Sequence, residues 1–99
     1  MMYLIFYDIS DNKLRKKVSD LLLQEGYERL QRSVFLSMDT PVKNKKLIET
    51  INKITQTEKE RNICILPVAV SNVKKMQIIG KHDWDIDYII GSVKSFFIP

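Results

Sequence analysis

The sequence predicts an α+β fold in which two amphipathic helices cover one β-sheet. The chain has 99 residues, a length that suits one domain. Hydrophobic residues make up 44% of it, as in an ordinary globular protein. Strand-like segments alternate with segments that have the 3.6-residue period of a helix. A single sheet covered by two helices buries the apolar side of each of these elements.

The first half of the chain predicts a strand, a helix and a second strand. Residues 2–8 form an unbroken run of β-forming residues, which is typical of a strand covered on both faces. Ser10 and Asp11 can cap the helix that follows and ends near Gly26. Residues 27–40 form the second strand, and their imperfect alternation indicates a bulge or an edge position. The apolar positions of the helix are Leu14, Val18, Leu21 and Leu22.

The second half predicts another helix and two more strands. Thr40 suits the cap of this helix and Pro41 its first position. Residues 62–70 form a third strand, in which Pro67 favours an edge or a bulge. Residues 73–80 form a short fourth strand that ends at a glycine. The apolar face of the second helix consists of Leu47, Ile48, Ile51 and Ile54.

The resulting order is strand, helix, strand, helix, strand, strand, which we assign to a ferredoxin-like βαββαβ sandwich over residues 1–80. Residues 81–99 have no place in that sheet, because they are acidic at first and then strongly apolar. This tail either folds back on its own domain or adds a strand to the sheet edge of a neighbouring chain. We expect the second arrangement, a homodimer in which the tail packs on the partner subunit.

The net charge, the cysteine count and the first apolar run indicate which binding partners, covalent cross-links and cellular location to expect. The formal net charge is +4 and the isoelectric point about 9.2, a balance compatible with binding to nucleic acid or to another anionic surface. The single cysteine, Cys64, lies in an apolar run and excludes an internal disulfide framework. The first apolar run is too short to span a membrane and lacks the flanks of a signal peptide, so we expect a cytoplasmic protein without membrane contact.

Asp8 is the candidate catalytic residue, because it ends the most hydrophobic strand with a carboxylate. Asp8 could instead have a purely structural role, either as a helix cap or in an ion pair with Arg15 or Lys17. One carboxylate is a poor site for a divalent metal. A two-fold dimer presents every residue near its axis twice, so two Asp8 carboxylates could share one Mg²⁺ beside a phosphodiester.

Clusters of cations accompany this carboxylate along the chain. Isolated surface lysines are usually only solvated, but clusters doubled by a dimer could form a basic track for a nucleic-acid backbone. Binding of that kind is sensitive to salt and largely independent of sequence. The clusters are Lys13, Arg15, Lys16 and Lys17, then Arg29 and Arg32, then Lys43, Lys45 and Lys46.

The stretches YLIFYDISDNKLRKKVSDLL and GYERLQRSVFLS resemble the small universal CRISPR-associated protein family, Cas two (Cas2). The shared features are a first strand that ends in Tyr-Asp-Ile-Ser at 7–10 and a basic helix with Arg15. They continue with a second strand that carries Arg29 and the Gln-x-Ser-Val-Phe pattern at 31–35. The resemblance in order and spacing covers about the first forty residues, and the length and arrangement agree over the whole chain.

This resemblance implies a homodimer in which the C-terminal strand is exchanged. It also implies a metal-dependent endonuclease acting on single-stranded RNA or on duplex DNA, in antiviral defence through the acquisition of new CRISPR spacers. The implied partner is the CRISPR integrase subunit, Cas one. The metal-binding acid of the family falls on Asp8. Its other functional positions fall on Tyr7, Arg15, Arg29 and Phe35.

Three further residues complete the candidate site. Lys17 occupies a basic position that is often arginine in the family, and it keeps the charge without the bidentate geometry. Arg32 stands where an uncharged residue is usual and adds a phosphate contact. Ser10 belongs to the motif that contains Asp8, and we assign it a supporting role with Tyr7 and Phe35.

Two other functions are compatible with the same residues. The first is a non-catalytic dimeric adaptor that binds duplex DNA for the integrase, and the second is a toxin-type ribonuclease of related fold. The placement of Asp8 favours an enzyme. The absence of a second acid that could act as general base favours the adaptor, because Asp11 is expected to cap a helix.

Overall fold

A computed structural model describes residues 1–82 and 84–90, and it confirms the α+β class. The strands are β1 (Met2–Ile9), β2 (Glu28–Gln31), β3 (Val34–Met38) and β4 (Arg61–Val68), and the two long helices are α1 (Asn12–Gln24) and α2 (Pro41–Thr55). The strands form one antiparallel sheet in the order β2-β3-β1-β4. These six elements follow each other as βαββαβ, so the ferredoxin-like prediction is confirmed.

The starts of both long helices lie where the sequence predicts them. The Asp11 side chain accepts a hydrogen bond from a backbone N–H of the first turn of α1 at 3.0 Å. The Thr40 hydroxyl accepts one from the N–H of Lys43 at 3.2 Å, and Pro41 takes the first position of α2. Gly26 follows α1 with φ of +87°, a conformation that favours glycine.

The central strand β1 divides its side chains between the two faces of the sheet. We call the side covered by α1 and α2 the helix face and the other side the open face. The helix face carries the larger core, and a second core covers part of the open face around Met2 and Leu36. Buried residues of the larger core are Tyr3, Ile5, Tyr7, Ile9, Val18, Leu22, Tyr27, Phe35, Leu47 and Ile51.

Residues 27–40 form a hairpin, so the prediction of a single strand there is wrong. The chain reverses at Arg32 and Ser33, between β2 and β3. The register shifts between Arg29 and Gln31, so one extra residue forms a bulge in the edge strand β2. The predicted bulge and edge position are therefore both present. Of the Gly, Pro, Asn, Asp and Ser residues that usually mark a turn in a sequence, this turn carries only Ser33.

The predicted strand at residues 73–80 is also wrong within this chain. Val70–Lys74 forms a short helix, α3, and residues 76–80 lie outside any strand. The reason is packing, since Val70 and Val73 are one helical turn apart and both contact the core on the open face. The hairpin strand β3 supplies the fourth strand of the sheet instead.

Part of the predicted C-terminal tail packs on its own chain. A short helix, α4 (Ile86–Ile89), begins at Asp85, whose side chain accepts a hydrogen bond from the N–H of Tyr88 at 3.0 Å. Trp84, Ile86, Ile89 and Ile90 join the core on the open face. Residues 83 and 91–99 lie outside the described residues, and the exchange of the tail onto a partner stays a prediction.

None of the helices in the described ranges has the length and apolar character needed to cross a membrane.

Candidate functional site

Tyr7 and Asp8 point to opposite faces of the sheet, because successive residues of a strand alternate. Tyr7 is 6% exposed and belongs to the core under the helices. Asp8 is exposed near the end of β1, on the open face. Tyr7 and Asp8 are therefore neighbours in the family motif but lie on opposite faces of the sheet.

Asp8 lies beside an apolar area that the described part of the chain leaves uncovered. Its register partner on β4 is Asn62, and the next pair along the same face is Phe6 and Cys64. Phe6 is 38% exposed, Leu66 is 49% exposed, and Cys64 is exposed. We call Phe6, Cys64 and Leu66 the open patch.

The structure excludes the two structural roles considered for Asp8. The cap of α1 is Asp11, and among residues 1–82 and 84–90 no ion pair within 4 Å involves Asp8. Those same ranges contain no group of three or more His, Cys, Asp or Glu residues that could hold a metal ion. Within the described residues the Asp8 carboxylate therefore belongs to no such group, and its register neighbour is Asn62, which carries an amide.

Four of the candidate cations, Arg15, Lys16, Arg29 and Arg32, line a groove of about 410 Å³ on the helix face, between α1 and the β2–β3 hairpin. The backbone N–H of Tyr7 donates to the carbonyl of Ser33 at 3.1 Å, which fixes the hairpin turn against β1. The groove is lined by Tyr7, Asn12, Arg15, Lys16, Ser19, Asp20, Leu23, Arg29 and Arg32.

Two of the arginines are held by contacts within the chain. Arg15 donates from Nη1 to the carbonyl of Ile9 at 3.2 Å and from Nη2 to the side chain of Asn12. The Arg29 guanidinium lies over the Phe35 ring, 5.2 Å from its centre. Phe35 in turn stacks on Tyr7, with ring centres 6.1 Å apart and planes inclined by 11°. Arg29 is the register partner of Phe35, which places both on the same face.

The Tyr7 hydroxyl is buried at the groove without a hydrogen-bond partner among the described residues. Burial raises the pKa of Tyr7, while the positive charge of Arg29 and, more weakly, that of Arg15 oppose the rise. The neighbouring hydroxyl groups of Ser33 and Ser19 also lower the pKa of Tyr7. Neither of them, however, forms a hydrogen bond of ordinary geometry with the Tyr7 hydroxyl. The Ser19 hydroxyl instead donates to the carbonyl of Lys16 at 2.9 Å.

The structure brings part of the predicted site together. Tyr7, Arg15, Arg29 and Arg32 line one groove and Phe35 supports it, whereas Asp8 lies across the sheet. Lys17 and Ser10 are exposed and do not line the groove. The sequence analysis missed Asn12 and Ser19, although their helical spacing from Arg15 places all three on one side of α1.

Comparisons with known proteins agree with this architecture. A family model described as CRISPR associated protein Cas2 matches residues 1–76. CRISPR-associated endoribonuclease Cas2 3 of Synechocystis sp. is 37% identical over 81 residues, which cover 81% of this chain and 85% of that protein. CRISPR-associated endoribonuclease Cas2 of Korarchaeum cryptofilum is 30% identical over 78 residues, covering 79% of this chain and 83% of that protein.

A third relative matches over a shorter region. CRISPR-associated endoribonuclease Cas2 2 of Pyrobaculum aerophilum is 41% identical over 56 residues, which span 57% of this chain and 62% of that protein.

Two solved structures are similar in fold. The crystal structure of Streptococcus pyogenes Cas2 at pH 6.5 has a TM-score of 0.68 and 22% identity, and the match covers 81% of this chain and 100% of that one. The crystal structure of hypothetical protein TT1823 from Thermus thermophilus has a TM-score of 0.59 and 30% identity, covering 69% of this chain and 80% of that one.

Proposed function

This chain belongs to the CRISPR-associated protein Cas2 family, and from that membership we propose that it is a metal-dependent endoribonuclease. It cleaves phosphodiester bonds of single-stranded RNA, with duplex DNA as a second substrate, and it works as a homodimer in the cytoplasm. Its biological role is the acquisition of CRISPR spacers together with the CRISPR integrase subunit.

The observation that supports this proposal most directly is the placement of Asp8. Its carboxylate is exposed near the end of the inner strand β1, and no cation of the described residues lies within 4 Å of it. It stands next to the open patch, where Phe6 and Leu66 expose a large part of their apolar surface. A second copy that covers the open patch brings a second carboxylate to the same place.

The dimer supplies metal ligands that the described part of one chain lacks. Two copies of Asp8 and Asn62 provide four oxygen-bearing side chains, two of them carboxylates. Mg²⁺ prefers oxygen ligands and is usually bound through one or two carboxylates and several waters, so these side chains suit it. When bound there, the ion polarises a phosphoryl oxygen and helps to activate water at neutral pH.

The chain contributes rigidity and position to the reaction. Asp8 is fixed by pairing of β1 with β4 on one side, and its neighbour Tyr7 is anchored by a backbone bond to Ser33 on the other. A carboxylate on a paired strand keeps its direction better than one on a loop. The sheet therefore fixes the position and the Cα–Cβ direction of Asp8, and only its side-chain torsions become ordered when the partner subunit binds.

The test is cleavage of labelled single-stranded RNA and of duplex DNA with Mg²⁺ by the wild type and by Asp8→Asn, which keeps the size and removes the charge. Glu49→Gln is the matched control, since Glu49 is exposed on α2. We expect Asp8→Asn to reduce cleavage at least about 100-fold while binding and dimerisation persist, and Glu49→Gln to cut normally. Equal cleavage by all three proteins contradicts the role of Asp8.

The second candidate is a non-catalytic dimeric adaptor that binds duplex DNA for the CRISPR integrase. The observation that favours it is the separation of the cation groove from Asp8 by the sheet, because a phosphate held in the groove does not meet the carboxylate of the same chain. If neither the wild type nor Asp8→Asn cleaves either substrate, while both bind duplex DNA, the adaptor replaces the enzyme.

A further inference from the structure

We propose that the groove between α1 and the β2–β3 hairpin binds the terminal phosphate of a nucleic-acid strand, a phosphomonoester, in preference to an internal phosphodiester. The inference rests on the proposed function in one respect, namely that the ligand is a nucleic acid. It concerns the helix face, whereas the cleavage proposed above belongs to Asp8 on the open face.

The charge of the groove exceeds what one phosphodiester would neutralise. Four cations line it, Arg15, Lys16, Arg29 and Arg32, against the single carboxylate of Asp20. Four positive charges minus one leave a net charge of +3. Asp20 pairs with Lys16 at 2.7 Å, and in the described ranges no carboxylate lies within 4 Å of the three arginines. A phosphomonoester carries close to two negative charges at neutral pH, a phosphodiester only one.

The groove also offers more donors than a phosphodiester can accept. The Arg29 guanidinium carbon lies 5.2 Å from the centre of the Phe35 ring, and a guanidinium carries five N–H donors. Arg15 is oriented by Ile9 and Asn12. A terminal phosphate has three non-bridging oxygens for such donors, whereas an internal one has two.

The buried Tyr7 hydroxyl is an independent sign of a ligand. Its side chain is more than nine-tenths buried, it lines the groove, and it has no partner in the described part of the chain. Leaving a buried hydroxyl unpaired is unfavourable, and buried polar groups in native proteins are nearly always paired. A phosphate oxygen would accept the hydrogen bond that no neighbour accepts.

The size of the groove suits the terminal nucleotide of a nucleic-acid strand. Its volume of about 410 Å³ lies within the range of small-molecule sites, roughly 300–1,000 Å³. Leu23 adds an apolar surface at which a sugar or base can pack. A terminal nucleotide can therefore enter with its phosphate against Tyr7 and Arg29.

The first experiment uses inorganic phosphate, which tests the site without nucleic acid or cleavage. Binding is measured by calorimetry for the wild type, Tyr7→Phe, Arg29→Gln and Lys45→Gln. Lys45 is exposed on α2 outside the groove, so its variant matches the charge change of Arg29→Gln. We expect Tyr7→Phe and Arg29→Gln each to weaken binding roughly tenfold or more, and Lys45→Gln to bind as the wild type does.

Tyr7→Phe has a second readout that a merely structural role would not produce. Because the variant removes a buried hydroxyl without a partner, we expect its melting temperature without phosphate to equal or exceed that of the wild type. The rise in melting temperature on adding phosphate should be smaller than in the wild type. A variant that is less stable and binds phosphate unchanged overturns the role of Tyr7.

The second experiment compares short oligonucleotides that carry a 5′-phosphate, a 3′-phosphate or no terminal phosphate, as RNA and as DNA, with a chelator present. We expect one phosphorylated end to bind about tenfold more tightly than the unphosphorylated strand, and Arg29→Gln to remove the difference. Equal binding of all three ends means that the groove holds internal phosphates, which overturns the proposal. An equal loss of phosphate binding in Lys45→Gln means diffuse attraction and overturns it as well.

The outcomes separate this inference from the proposed function. Asp8→Asn should keep the preference for a phosphorylated end, since Asp8 does not line the groove. If cleavage proves absent while that preference persists, the groove assignment stands and the nuclease fails. If cleavage depends on Asp8 but no phosphorylated end is preferred, the nuclease stands and the groove assignment fails.

Discussion

Tyr27 connects the edge of the sheet to the start of α2 through its hydroxyl group. The hydroxyl donates to Asp39 Oδ2 at 3.1 Å and accepts from Asn44 Nδ2 at 3.1 Å. Tyr27 and Asn44 are both buried, and Asp39 Oδ1 accepts from the backbone N–H of the cap residue Thr40 at 2.8 Å. One phenol therefore helps to fix the loop that leads from β3 into α2.

Tyr27→Phe should destabilise the protein by about 1–3 kcal/mol, because the buried Asn44 amide loses its acceptor. Urea denaturation of the variant and the wild type measures the difference. Tyr7→Phe is the control, since it also removes one buried hydroxyl but breaks no hydrogen bond within residues 1–82 and 84–90. If the two variants are equally stable, the contacts of Tyr27 do not contribute as described.

Tyr27 also predicts how stability depends on alkaline pH. Burial, the main cause, raises its pKa above the ordinary value of 10.0, and Asp39 adds to the rise. Above about pH 10 the unfolded chain releases this proton while the folded chain retains it, so the free energy of unfolding falls as pH rises. The contribution is fully present below pH 10. Between about pH 9 and pH 11, Tyr27→Phe should lose stability less steeply than the wild type, and parallel curves would contradict this.

At the scale of elements, local signals in the sequence predict β1, α1 and α2 well. The caps Asp11 and Thr40 and the helical spacing of apolar residues act within a few positions, so one sequence contains them. The hairpin turn at Arg32 and Ser33 has only a weak local signal, the serine, because pairing of β3 with β1 determines it. The failed strand at residues 73–80 has the same origin, since α3 forms where Val70 and Val73 meet the open-face core.

The candidate site was predictable in composition but not in arrangement. The motif indicates Tyr7, Asp8, Arg15 and Arg29 as residue types suited to a metal and to phosphates. Which face each occupies depends on which side of β1 the two helices cover, and that is decided by packing across the whole sheet. The separation of Asp8 from the arginines is therefore visible only in the structure.

The segment at residues 76–80 has strand-forming residues but no strand to pair with in the described part of the chain. Ile79 within it is fully exposed, and β2 and β4 are the edges of the sheet. An unpaired apolar segment and free strand edges favour pairing between two copies.

Ile79→Glu should therefore weaken the proposed dimer, with a dissociation constant raised about tenfold or more, since burial of one isoleucine contributes about 1.5–3 kcal/mol. Sedimentation analysis over a range of concentrations measures the change. Val42→Glu is the control, because Val42 is an exposed apolar residue on α2. A dimer unaffected by Ile79→Glu would show that this residue stays exposed in the assembly.

At the scale of the whole molecule, the sheet separates two kinds of surface. The helix face carries the groove with its net charge of +3, and the open face carries Asp8 and the open patch. A dimer built through the open patch leaves both grooves on the outside, where long nucleic acids can reach them. Cleavage and phosphate binding should then respond differently to loss of the dimer.

Leu66→Glu tests this separation. It places a charge in the open patch, so we expect it to shift the protein toward monomers by about tenfold or more in dissociation constant and to reduce cleavage with it. Binding of inorganic phosphate should be unchanged, because Leu66 does not line the groove. On the same sample, light scattering measures the dimer, the cleavage assay measures activity, and calorimetry measures phosphate binding. Full cleavage by a monomeric variant would show that one chain suffices.

Trp84 gives the molecule an internal optical probe, because it is the only tryptophan in the sequence. It packs with Ile86 and Ile89 against the core on the open face, and its ring centre lies 4.9 Å from that of His82. Its fluorescence therefore reports on one place, the point where the tail meets its own sheet. If association of two copies draws this segment away, dilution of the unlabelled protein shifts the emission wavelength. If the segment stays in place, the spectrum is the same at every concentration.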